Sequence, residues 1–102
     1  METAPARIKH PADIAPFCRR WRIAELSLFG SVLRDDFGPD SDIDVLIEFE
    51  PGATAGLFEW AQMESELRSI AGRQVDMVEK AGLRNPYRRR AILSTHRVIY
   101  AT

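Results

Sequence analysis

The sequence predicts an α/β fold in which four helices and four strands alternate along the chain. Three observations carry this. Ile14, Phe17, Cys18 and Trp21 fall at i, i+3, i+4 and i+7, the spacing of one helix face. Between Ser41 and Glu50, apolar Ile43, Val45, Ile47 and Phe49 alternate with Asp42, Asp44, Leu46 and Glu48, the period of a strand. Gly and Pro punctuate the stretches between, and the order that results is α-β-α-β-α-β-α-β.

Each element has its own reason. Residues 1–12 carry three alanines and two prolines without a period, and read as a flexible arm before a single domain over 13–102. Asp13 is placed to cap the first helix, and Pro16 is tolerated in its first turn. Cys18 on its apolar face reads as a small buried hydrophobe. Ile23 to Phe29 is a strand, broken by Gly30-Ser31; Val32 to Phe37 reads as a short helix beginning at Ser31, and Phe37 to Asp40 as a turn. The strand from Ser41 to Glu50 stops at Pro51-Gly52. Leu57 to Ala71 is a helix with Trp60, Met63, Leu67 and Ile70 as its apolar stripe and Gly72 as its stop. Gln74 to Glu79 is a third strand. Asn85-Pro86 opens the last helix, with Asn as cap and Pro in the first turn, and the helix carries Tyr87, Ala91 and Ile92. Arg97 to Ala101 is the fourth strand.

Composition excludes several classes. At 102 residues the chain holds one compact domain and no second one. A net charge of −1 argues against a dedicated nucleic-acid binder. One cysteine excludes an internal disulfide or a multi-Cys zinc site and fits a reducing cytoplasm. No leader-like run opens the chain, and no apolar stretch approaches the roughly 18 residues of a membrane span. The charge is unevenly spread: seven acids lie between Asp35 and Glu50, and none follows Glu79, where Lys80, Arg84, Arg88, Arg89, Arg90 and Arg97 stand. The basic end reads as a solvated helix face. His10 and His96 show no metal spacing.

Three features carry chemistry. Gly30-Ser31 sits at a strand-to-helix junction, where glycine permits a sharp turn and close approach and free N–H groups suit phosphate. Asp42 and Asp44, two apart on a strand, point to one face with Ile43 turned to the core. Two carboxylates so close repel, and a hard divalent cation removes the conflict. Asp76 is an isolated acid inside the apolar run Val75-Asp76-Met77-Val78, and it joins the pair if the two strands are neighbours.

Ten residues separate Gly30-Ser31 from Asp42-x-Asp44. This spacing, with Leu28-Phe29-Gly30-Ser31-Val32-Leu33-Arg34 and Asp40-Ser41-Asp42-Ile43-Asp44-Val45-Leu46-Ile47 around it, resembles the Gly-Ser-x10-Asp-x-Asp signature of the DNA polymerase beta-like nucleotidyltransferases. The likeness is close to the minimal members of that superfamily, the MNT proteins, and runs over essentially the whole chain. It implies a small mixed sheet of about four strands flanked by helices. It implies that Gly30, Ser31 and Arg34 meet the nucleotide phosphates, that Asp42 and Asp44 bind two Mg²⁺ ions (Mn²⁺ as an alternative), and that Asp76 is the third metal carboxylate. ATP would be the substrate, with attack on the α-phosphorus and pyrophosphate leaving. Two metals about 3.5–4 Å apart would stabilise both the attacking and the leaving oxygens.

Larger relatives of this core add domains that grip the base or the acceptor. The minimal members pair with HEPN-type toxins, so the resemblance implies a cytoplasmic antitoxin that transfers AMP to a tyrosine of such a partner. Two further readings stand beside it: a catalytically silent antitoxin that masks its toxin sterically, and nucleotidyl transfer to a small molecule or RNA. No membrane or direct DNA binding is expected.

Overall fold

The computed structural model describes residues 7–35, 37–38 and 40–102. A four-stranded mixed sheet forms its centre, in the order β3-β2-β1-β4, with β1 at Ile23–Phe29, β2 at Ile43–Phe49, β3 at Val75–Glu79 and β4 at Arg97–Ala101. β1 pairs antiparallel with both β2 and β4, whereas β2 and β3 run parallel. Parallel neighbours need a long crossover. Helix α2, Leu57–Ala71, provides it. Helices α1, Ile14–Arg20, and α3, Pro86–Thr95, complete the fold.

The strand alternation sorts side chains onto two faces. Ile43, Val45 and Ile47 of β2 lie beside Leu26 and Leu28 of β1, and bury against Phe17 and Cys18 of α1 and Met63, Leu67 and Ile70 of α2. Burying each large side chain of this kind stabilises the fold by about 1.5–3 kcal/mol. The opposite face has its own smaller core of Phe29, Leu46, Leu83 and Ile92, beneath α3. Leu46, expected among the outward residues, is buried there. A sheet covered on both sides leaves no solvated face, so alternation alone does not mark the exposed residues.

Local signals end the helices. Gly72 takes φ +78 and returns its N–H to the Arg68 carbonyl, closing α2. Asn85 Oδ1 accepts from the amides of Tyr87 and Arg88, the cap expected at α3. Asp13 stands at the N-cap of α1 but makes no side-chain cap bond, because a 3-10 turn over Pro11–Asp13 already leads into the helix.

Two expectations are corrected. Among the described residues from Val32 to Phe37 no α-helix forms: a single 3-10 turn covers Gly30–Leu33, and Arg34 is extended. The carbonyls of Val32 and Arg34 accept instead from Arg7 Nη1, at 2.9 and 2.8 Å. The described part of the arm is packed rather than loose. Ile8 belongs to the larger core, and the amides of Lys9 and His10 bond the Ala71 and Ile70 carbonyls. A lone isoleucine and two backbone bonds carry no periodic signature. The first six residues of that expected arm lie outside the described residues.

Candidate active site

The sheet register assembles the site. Phe29 of β1 pairs with Asp44 of β2, and Asp44 pairs with Asp76 of β3, so the three side chains form one row across the sheet. Strands lie about 4.8 Å apart, so Asp44 and Asp76 are close neighbours on one face. Asp42 lies one residue before β2, whose ladder starts at Ile43 rather than at Ser41. Ser41 is held out of the strand by a turn, its amide bonding the Gly38 carbonyl at 3.1 Å. Asp42 and Asp76 are exposed and Asp44 is half-buried.

Gly30 follows Phe29, and so stands at the edge of this row. Its φ is +74, a conformation that side chains disfavour. A Cβ at Gly30 would collide with Asp44 Oδ2 and lie 3.2 Å from its Cγ. Glycine is therefore required twice here, by the turn and by the carboxylate against it. Ser31 Oγ donates to the Asp42 carbonyl at 3.4 Å, tying the loop to the start of β2. The loop and the three acids thus converge, although the expected helix after Ser31 is only one 3-10 turn.

Asp44 feels this crowding. Burial, and then the charges of Asp76 and Asp42, push its carboxyl above the usual carboxylate range; Arg88 and Arg34 pull part of the way back. Its anion is stabilised by any added positive charge. The donor set, carboxylate oxygens only, suits a hard divalent cation. Among the described residues, no three His, Cys, Asp or Glu side chains are already gathered into a group that could hold a metal ion.

Arg88 was visible in the sequence only as one charge of a basic run. Its charge acts on Asp44, ahead of that of Arg34. No local spacing marked it, because α3 and β2 meet only through the fold. The rest of the basic end behaves as expected: Arg84, Arg90 and Arg97 are exposed, while Arg89 Nη1 bonds the Lys80 carbonyl at 3.3 Å. His96 lies away from the carboxylate row, with Nδ1 2.9 Å from the Leu93 carbonyl. A cleft of about 420 Å³, lined by Asp40, Ser41, Asp42, Arg68, Arg73 and Gln74, opens beside Asp42.

Known proteins resemble the chain in this light. The profile of the nucleotidyltransferase domain family matches residues 14–99. MJ1379 of Methanocaldococcus jannaschii, a proposed protein adenylyltransferase, is 30% identical over 73 residues, covering 72% of this chain and 73% of its own. Protein adenylyltransferase MntA of Thermococcus cleftensis is 33% identical over 66 residues, 65% of each chain. Among solved structures, a proposed minimal nucleotidyltransferase is 33% identical with a TM-score of 0.68, covering 83% of this chain and 84% of that one. A toxin–antitoxin structure with AMP-PNP has a TM-score of 0.72 at 18% identity, over 89% of this chain and 73% of that one, and shares the fold.

Proposed function

Because the chain belongs to the nucleotidyltransferase domain family and is an enzyme of that class, we propose that it transfers AMP from ATP to a hydroxyl of a partner protein. In this reading the partner is a HEPN-type toxin, the hydroxyl is a tyrosine's, and the chain is the antitoxin. The observation that carries the proposal is the fit of Asp44 against Gly30, in register with Asp76, which joins a phosphate-sized turn to a carboxylate row. Support for the partner comes from MntA–HepT toxin–antitoxin complexes that share the fold.

The roles follow from charge. Asp42, Asp44 and Asp76 would hold Mg²⁺, which when bound supplies the positive charge that lets a triphosphate sit beside three carboxylates. Gly30 lets the turn close directly against the Asp44 carboxylate, and Ser31 offers a hydroxyl. Arg34 and Arg88 meet the β- and γ-phosphates and then the leaving pyrophosphate. The acceptor oxygen attacks the α-phosphorus, the bond to the bridging oxygen of pyrophosphate breaks, and Asp76, an exposed carboxylate in register with Asp44, draws the proton from the acceptor. The chain contributes orientation and charge compensation, with no covalent intermediate on the protein.

The test is the intact mass of the partner after co-expression. Increments of one AMP, absent with Asp42→Asn/Asp44→Asn, are expected. A partner that stays unmodified yet is neutralised by the double variant would refute transfer and leave steric masking.

A further inference from the structure

The sequence assigned the ten residues of the spacer between Ser31 and Asp42 a short helix and a turn, and no chemistry beyond Arg34. The structure grips this spacer from both sides. Arg7 Nη1 donates to the Val32 and Arg34 carbonyls at 2.9 and 2.8 Å. Arg73 Nη1 donates to the Gly38 and Ser41 carbonyls at 2.9 and 3.1 Å. The two guanidinium groups also share one ring: that of Arg7 lies 5.0 Å and that of Arg73 4.5 Å from the centroid of Phe37. Both geometries fall within cation–π range.

The anchors of these arginines give the grip its meaning. Arg7 adjoins Ile8, which is locked into the larger core. Arg73 lies between Gly72, which ends α2, and Gln74, whose carbonyl accepts from the Ile43 amide at 3.0 Å. Three residues after Arg73 comes Asp76. The same arginine that holds the spacer is thus fixed to the start of both carboxylate strands. Among its described residues the spacer has one turn of 3-10 structure, at its start. Its two ends carry the groups that must meet one nucleotide, Ser31 at the phosphates and Asp42 at the carboxylates.

We propose that Arg7 and Arg73, closed over Phe37, are positioning residues that fix the Gly30-Ser31 turn relative to the carboxylate row. They touch no reacting atom. They act by holding the spacer whose length and path set that distance. Lysine does not reproduce either one: a single Nη1 serves both carbonyls while the flat guanidinium lies over the Phe37 ring, and a compact ammonium offers no such planar surface. The proposal uses the transferase reading above for its kinetic assay.

The experiment takes the full chain with its partner and compares Arg7→Ala/Arg73→Ala, Arg73→Lys and Phe37→Leu. Transfer is measured as kcat and as KM for ATP. Amide hydrogen exchange is followed at Arg34, Phe37, Gly38 and Ser41, whose N–H groups bond within the spacer. The double variant is expected to lose about tenfold or more in kcat, as roughly 1 Å of misplacement does, with KM within about threefold. Its four amides exchange at least about tenfold faster, and Arg73→Lys restores neither readout. Melting is recorded so that a collapsed variant is set aside, and the two single-residue variants then carry the test. Unchanged exchange overturns the proposal, and so does faster exchange with unchanged kcat. A parent chain that transfers nothing refutes the transferase reading instead, and exchange alone then decides whether the arginines hold the spacer.

Discussion

Gly30→Ala separates two demands that one residue meets. The first is conformational: at φ +74 an alanine costs about 1–2 kcal/mol. In a domain of this size each kcal/mol lowers Tm by about 4–8 °C. The second is contact, because the new methyl would lie against Asp44 Oδ2 and 3.2 Å from its Cγ. Relief requires the carboxylate or the turn to move by roughly 1 Å, a displacement able to cost about a hundredfold in rate. Gly52 is the control. Its φ is +83, and nothing lies within 4 Å of its would-be Cβ. Gly52→Ala carries the same backbone penalty without the collision. Both variants are expected to melt lower, Gly30→Ala by more because of the added collision, and only Gly30→Ala loses transfer to the partner at saturating ATP. A Gly30→Ala variant within threefold of the parent kcat would refute the argument that the turn and Asp44 form one unit.

Three further outcomes are expected. The carboxyl of Asp44 is raised by burial and by Asp76 and Asp42, so its folded state favours the proton more than its unfolded state does. The penalty of its charge is absent below the unfolded pKa, grows as pH rises from there through the folded one, and is complete above it. Asp44→Asn should therefore raise Tm at pH 7 and leave it unchanged near pH 3; equal melting at pH 7 would contradict the crowding. Mg²⁺ at ten times its Kd should stabilise the parent by about 1.4 kcal/mol, and this gain should disappear in Asp44→Asn. Burial pushes the Cys18 thiol up to about 12, so native protein at pH 8 should resist iodoacetamide and label only on unfolding. Rapid labelling of native protein would place Cys18 outside the core.

The elements that were legible in the sequence are those whose signals are local. Ile23–Phe29, Leu57–Ala71 and Arg97–Ala101 fall where punctuation and periodicity put them. Asn85 caps α3 because a side chain three residues away needs no tertiary help. Val32 to Phe37 was misread because the carbonyls a helix would use are taken by Arg7, 25 residues from Val32 in the chain. Leu46 was misread because a second helix layer covers the face that alternation assigns to solvent.

No helix among the described residues is long and apolar enough to cross a membrane, in keeping with the absence of such a run in the sequence. By itself the sequence determined the family signature, the chemical types at the site and the side of the strand on which Asp44 lies. Those depend on residue identity and on the two-residue period, which neighbours in the chain impose. Only the tertiary structure decided that Asp76 stands in register with Asp44, that the charge of Arg88 acts on Asp44, and that Arg7 and Arg73 close on Phe37. Each joins segments far apart in the chain, and such contacts are selected by the packing of whole layers, of which no local window of sequence holds a record.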